Sequence, residues 1–304
     1  MKKVVVIFGP TGVRKSEISV LLSKEIDGEV ISFDAYQVYK YMDIGTNKIK
    51  KEDMQNIQHH LIDIVMPNEE FSAGLYKELA EKKIDEVLKK NKIPVLVGGT
   101  GLYMRTLLYF EPPKKDEKIR EILNKKLEDV GLEELFSELK KFDPLYASKI
   151  NKNDKKRILR ALEVYYIYKK PFSEFLKEEE KYDAIKFGII MERKILYKKL
   201  EERIERMFKD GFIDEVKFIK ENFGFSNTSI KAIGYETILQ YLIGDINLDD
   251  CKKIILKKTK EYARRQLIWM KKEKDIRVID RTDKDDNIIV NEIKEYIKKI
   301  WKIL

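Results

Sequence analysis

The residues best equipped for chemistry stand near the start of the chain. GPTGVRKSE, residues 9–17, has the outline G-x-x-x-x-G-K-[ST] of a phosphate-binding loop. The backbone N–H groups of such a loop converge on an anion, and the helix that follows adds partial positive charge at its N-terminus. Gly9, Pro10, Thr11, Gly12 and Val13 would form the cradle, Lys15 would neutralise phosphate oxygens, and the Ser16 hydroxyl would hold Mg2+. One position departs from the outline, because Arg14 stands where glycine is expected. Glycine there takes positive φ freely, whereas a side chain in the left-handed region costs roughly 1–2 kcal/mol. Arg14 could lay its guanidinium on a phosphate, or it could fold across the pocket and obstruct it. The sequence leaves both open.

A phosphate loop needs a strand before it and a helix after it. Val4–Phe8 (VVVIF) reads as a strand, as do Val30–Phe33, Ile93–Val97, Phe187–Met191 and Ile276–Asp280. The first and third are almost continuously apolar, the pattern of strands buried on both faces of a parallel sheet. Helical patterns over Glu17–Ile26 and Ala73–Lys90 alternate with them, which predicts an α/β fold: a P-loop NTPase-like parallel sheet flanked by helices. From Glu111 to Ala184 no strand pattern occurs, and amphipathic Lys/Glu-rich helices follow Pro112-Pro113. A plain crossover is shorter, so residues 111–184 read as an all-helical insertion domain, with 1–110 and 185–304 as the catalytic core. Further helices are expected over Ile195–Phe223 and Leu248–Lys272.

In open parallel sheets, ligands sit beyond the carboxyl ends of the strands. Asp34 directly follows the second strand, and Thr100 follows the third within GGTG. Both should therefore stand beside the phosphate loop.

The 304 residues are 43% hydrophobic and 38% charged, enough for a substantial core. No apolar run reaches the roughly 18–20 residues of a membrane span. MKKVVVIFGP reaches Gly-Pro too soon for a signal peptide. Cys251 is the single cysteine, which rules out an internal disulfide. A cytoplasmic protein with no membrane partner is expected, and nothing in the sequence calls for an oligomer, so a monomer is expected too. The net charge of +9 favours a polyanionic partner.

Taken in order, GPTGVRKS, SFDAYQVYKYMDIGT, HHLIDIV, VLVGGTGLY, NDKKRILRALEVY, AIGYE and YARRQLIW resemble the tRNA dimethylallyltransferase (tRNA isopentenyltransferase) family in its bacterial form, over nearly the whole chain. The resemblance implies transfer of a dimethylallyl group from dimethylallyl diphosphate, with Mg2+, to the N6 amine of the adenosine just 3′ of the anticodon. The phosphate loop would then hold the donor's diphosphate rather than ATP. Asp34 is the candidate base for the amine proton, and Gln37 on the same turn could read the adenine edge. Lys15, Ser16 with Mg2+, and Thr100 would stabilise the leaving diphosphate. Arg193 matches a family arginine on the diphosphate side, and Lys199 stands where the family usually has arginine, keeping charge without the bidentate fork. The resemblance also implies tRNA contacts for Asp34, Ala35, Tyr36, Gln37 and Thr100. In the insertion it implies them for Arg120 and for Lys156, Arg157, Ile158, Leu159 and Arg160, with the anticodon stem-loop as partner.

Trp269, beside Arg264, Arg265 and Gln266, is expected to be a core residue. His59-His60 suits a shared metal poorly, because adjacent strand residues point to opposite faces; a structural role is expected. Two alternatives stay open beside the active transferase. One is a tRNA-binding protein whose catalysis Arg14 impairs, and the other is a P-loop small-molecule kinase, which the large charged insertion argues against.

Overall fold

The computed structural model describes residues 1–302. Its first unit alternates strand and helix. The elements are β1 (Lys2–Phe8), α1 (Lys15–Glu25), β2 (Gly28–Ser32), β3 (His59–His60), α2 (Ala73–Lys89), β4 (Ile93–Gly98) and α3 (Gly101–Tyr109). The insertion carries α4 (Glu117–Phe142), α5 (Pro144–Ala147) and α6 (Lys155–Tyr168). The sheet then resumes with β5 (Tyr182–Ile190), followed by α7 (Arg193–Lys209), α8 (Phe212–Asn222), α9 (Tyr235–Leu242), α10 (Leu248–Met270), β6 (Ile276–Asp280) and α11 (Asp286–Trp301).

All six strands are parallel, in the order β3-β2-β4-β1-β5-β6. β1 therefore lies inside the sheet, which explains its apolar run: Val4 to Phe8 are fully buried. Val5, Ile7, Val95, Phe187 and Ile189 share a core with Ile18 and Leu22 of α1 and with Ile289, Ile293 and Ile297 of α11. This is the P-loop NTPase-like architecture the strand pattern predicts.

Two compact units result, with the division falling inside α3: Met1–Met104 together with the chain from Tyr182 onward, and Arg105–Lys181. The helical stretch expected over 111–184 ends early, because Tyr182, Asp183 and Ala184 pair in register with Lys2, Lys3 and Val4 and so belong to β5. The helices expected over Ile195–Phe223 are α7 and α8, divided at Gly211, whose φ of 98° helical backbone does not allow.

The second unit has its own core, with Leu123, Leu135, Leu139, Ile158 and Leu162 among its buried residues. Its α4 breaks at Gly131 (φ 81°). Glu163 is fully buried there and is held by three donors. Arg120 pairs with it at 3.0 Å, Arg160 at 2.9 Å, and the Asp116 N–H donates to it at 3.1 Å. Buried polar oxygens need hydrogen-bond partners, and these three donors supply them.

Candidate active site

A cavity of about 500 Å3 opens beyond the carboxyl ends of β1, β2 and β4. Thr11, Gly12, Arg14, Lys15 and Ser16 line it from the loop after β1, and Asp34, Tyr36 and Gln37 from the turn after β2. Lys199, Glu202, Arg203 and Arg206 of α7 and Tyr262 and Gln266 of α10 are among the other residues that line it. The phosphate loop, Asp34 and Gln37 are thus brought together as the strand-end rule requires.

Lys15 Nζ donates to the Pro10 carbonyl at 2.8 Å. Burial pulls its pKa from 10.5 down to about 8, opposed by the charge of Asp34 and reinforced by that of Arg203. Arg203 itself is pulled down to about 10, again by burial first, with Asp34 opposing. Its Nη1 donates to Thr11 Oγ1 at 2.5 Å, while its buried Nε has no partner among the described residues. Two desolvated cations therefore face one cavity, an arrangement that attracts an anion.

Asp34 Oδ1 accepts the N–H groups of Tyr36 (2.9 Å) and Gln37 (3.3 Å), so the carboxylate caps its own turn. Both bonds fall on Oδ1, which leaves Oδ2 without a hydrogen-bond partner among the described residues. Thr100 Oγ1 accepts the Ala35 N–H at 3.1 Å and is also hydrogen-bonded to Tyr262. Thr100 thus ties the loop after β4 to the Asp34 turn. The Tyr36 phenol is pushed up to about 12, by burial first and then by the Asp34 charge, and stays protonated. Gln37 Nε2 reaches toward the carbonyls of Thr46 (3.4 Å) and Asn47 (3.3 Å). That loop is anchored by Glu215, whose carboxylate accepts the N–H groups of Asp43 (2.8 Å), Ile44 (2.6 Å) and Gly45 (3.0 Å) and the Tyr235 hydroxyl (2.6 Å).

Arg14 adopts φ 57° and ψ 40°, the left-handed conformation of the glycine it replaces. Its side chain lines the cavity, and its guanidinium is held by two acidic side chains. Nε donates to Glu17 at 3.3 Å and Nη2 pairs with Asp286 at 3.0 Å, which holds the charge on acidic partners.

The other residues singled out in the sequence fall in different surroundings. Arg193 lies outside the lining, with its guanidinium over the Tyr197 ring at 5.0 Å. At 1.5 Å of rise per residue, Arg203 stands about 15 Å further along α7, and it is Arg203 that reaches the loop. Ile158 and Leu159 are buried in the core of the second unit, so their side chains are closed to any partner. Arg120 and Arg160 are tied to Glu163, and Arg160 also donates to the carbonyls of Pro113 and Lys114. Arg157, by contrast, is 60% exposed beside Asp154, and Lys156 is exposed. Trp269 is half-buried and packs over Gly101, where a Cβ would come within 2.7 Å of its ring. His60 pairs with buried Glu29 at 2.8 Å, and no cluster of His, Cys, Asp and Glu fit for a metal exists among the described residues.

The model of the IPP transferase family matches residues 37–273 of the chain. The tRNA dimethylallyltransferase of Acetivibrio thermocellus is 40% identical over 307 residues, 98% of each chain. The chain belongs to the IPP transferase family. Two solved structures of the family agree in fold. The full-length tRNA isopentenylpyrophosphate transferase of Bacillus halodurans superposes with a TM-score of 0.74 at 35% identity, over 98% of this chain and 96% of that one. A eukaryotic dimethylallyltransferase caught acting on tRNA superposes at 0.84 with 29% identity, over 98% of this chain and 80% of that one.

Gln266, within the YARRQLIW motif, is a site residue to which the sequence alone assigns no role. It is 3% exposed. Its Oε1 accepts the Thr11 N–H at 2.8 Å and its Nε2 donates to the Gly99 carbonyl at 3.0 Å, bridging the two glycine-rich loops. A Cβ at Gly99 would stand 1.9 Å from that nitrogen, so the bridge requires glycine.

Proposed function

We propose that the chain transfers a dimethylallyl group from dimethylallyl diphosphate to the N6 amine of the adenosine 3′-adjacent to the tRNA anticodon, releasing diphosphate. One observation carries the reading: two half-buried cations, Lys15 and Arg203, line the same cavity as Asp34, whose Oδ2 has no hydrogen-bond partner among the described residues. The cations bind and neutralise the diphosphate. As the C1–O bond of the donor breaks and the N6–C1 bond forms, the amine proton passes to Asp34 Oδ2. Thr100 holds the Asp34 turn at the distance the reaction needs.

The target base stacks within the anticodon loop and is swung out into the cavity, where Tyr36 and Gln37 meet it. Lys156 and Arg157 supply exposed charge for the anticodon stem-loop backbone. Mg2+ fits this site through Ser16, which lines the cavity beside Lys15. The absence of a carboxylate cluster among the described residues suits a cation held mainly by substrate phosphates. When bound, it neutralises charge on the leaving diphosphate. The protein works as a cytoplasmic monomer. No helix among the described residues is long and apolar enough to cross a membrane.

The deciding assay incubates the chain with dimethylallyl diphosphate, Mg2+ and tRNA carrying adenosine 3′ of the anticodon. Mass spectrometry is expected to find N6-dimethylallyladenosine at that position, and none when guanosine replaces it. Absence of product on every adenosine-bearing tRNA of the set overturns the reading.

Lys15 sets a pH dependence. Diphosphate raises the pKa of a lysine it contacts, so above about 8, where the free enzyme's Lys15 is neutral, binding takes up a proton and weakens. Arg203, at about 10, stays charged over most of that range. The donor's phosphates are already ionised well above their second pKa of about 6. Donor affinity is expected to be flat to about pH 7.5 and roughly 20-fold weaker at about pH 9.5, read by titration calorimetry. A flat profile to that pH would remove Lys15 from the diphosphate.

A further inference from the structure

Arg281 and Asp286 line no part of the cavity, yet both reach the phosphate loop from the far end of the chain. Arg281 follows β6 and is 6% exposed. Its Nη1 donates to the Val13 carbonyl at 2.8 Å, and its Nη2 pairs with Asp286 Oδ1 at 3.0 Å. The other oxygen of Asp286 pairs with Arg14 Nη2 at 3.0 Å. One carboxylate, with its side chain 11% exposed, thus joins a guanidinium on the loop to a guanidinium behind it.

The peptide between Val13 and Arg14 is what this arrangement grips. A trans peptide is rigid, and its C=O and N–H point in opposite directions. Arg281 holds the Val13 carbonyl, so the Arg14 N–H of the same peptide points away from Arg281. Arg14 meanwhile sits in a conformation that non-glycine residues keep only when their surroundings enforce it. Glycine in that slot needs no such enforcement. The ion pairs of Asp286 supply it here, at a position where the loop carries a side chain.

We propose that Arg281 and Asp286 form a latch that positions the Val13–Arg14 peptide, and through it the phosphate loop, for the donor's diphosphate. Both are positioning residues, and neither touches donor or acceptor. The inference rests on the cavity being the diphosphate site.

The test uses the full chain and inorganic diphosphate with Mg2+, by calorimetry, together with the KM of donor and of tRNA and the thermal midpoint. Asp286→Asn and Arg281→Gln are each expected to weaken diphosphate binding about tenfold, the first by losing the ion pairs to Arg14 and Arg281 and the second by losing the bond to the Val13 carbonyl. Donor KM rises in step, while tRNA KM stays within about twofold. Combined with Arg14→Gly, the Asp286→Asn loss shrinks to about threefold or less, because glycine holds the left-handed φ unaided. Equal losses with and without Arg14→Gly overturn the latch, as do undiminished diphosphate affinity in both single variants or donor and tRNA KM rising together. Asp286→Asn keeps the side chain's shape and carries the comparison if Arg281→Gln does not fold. An unsubstituted chain that fails to bind diphosphate overturns the functional reading along with the latch. Binding by that chain and equally by the variants overturns the latch alone.

Discussion

Asp34→Asn is expected to lower kcat for prenyl transfer by about 10²–10⁴-fold, the range of a positioned general base. The substitution is nearly isosteric. Asparagine's carbonyl can still accept the Tyr36 and Gln37 N–H groups that Oδ1 accepts now, so the turn after β2 persists. What disappears is the oxygen able to take a proton from N6, whose lone pair is a poor nucleophile until that proton leaves. The substitution also removes a negative charge that favours the protonated forms of Lys15 and Arg203. Donor affinity should therefore be measured from about pH 6 upward, because without Asp34 the Lys15 pKa falls further below its ordinary value, and at the acidic end it should change by no more than about threefold. Single-turnover kinetics with saturating tRNA separate the two effects. A kcat loss below about tenfold, or a loss confined to tRNA KM, would take the proton away from Asp34.

Much of this site was legible in one dimension because strand ends and glycine-rich turns are local features. Val4–Phe8 announced a buried strand, GPTGVRKS the loop after it, and Asp34 and Thr100 the adjoining strand ends. The residues that escaped lie on helices, where charge every few positions is ordinary. Arg203 nevertheless carried a signal. It continues the row Leu196, Leu200 and Met207, which are all buried, so an arginine stands in the inward stripe of α7. Gln266 does the same in α10, between Ala263 and Met270. Polar residues on a buried stripe ask for a partner, and both find one on Thr11. Arg193, matched to a family arginine by the resemblance, sits in the first turn of α7, away from that stripe's far end. α11 was also there to be read, in Ile289, Ile293, Ile297 and Trp301 at intervals of four. Arg14 was different in kind. Its backbone angle and the bridge through Asp286 depend on residues some 270 positions away, and no local pattern encodes them.

Arg203→Met is expected to separate stability from activity. In the folded chain Arg203 is a desolvated cation beside a second one, Lys15, and Arg206 repels it further. No ion pair to a carboxylate compensates it among the described residues: Asp34 acts through space, Nη1 bonds to the neutral hydroxyl of Thr11, and buried Nε is unpartnered. Replacing such a group with an apolar side chain of similar length is commonly neutral or stabilising, so the melting temperature should hold or rise by about 2–4 °C. Catalysis should move the other way. The diphosphate gains charge as C1–O breaks, and deletion of a preorganised donor to such charge costs about 10²–10³-fold in kcat. Arg203→Lys should fall between, since it keeps the charge and loses the fork that meets Thr11 and a phosphate oxygen together. A variant that melts several degrees lower and loses less than about tenfold in kcat would make Arg203 a structural residue. The predicted pairing, a sturdier and slower enzyme, follows from a fold that leaves this guanidinium partly unpaired until the donor's diphosphate enters.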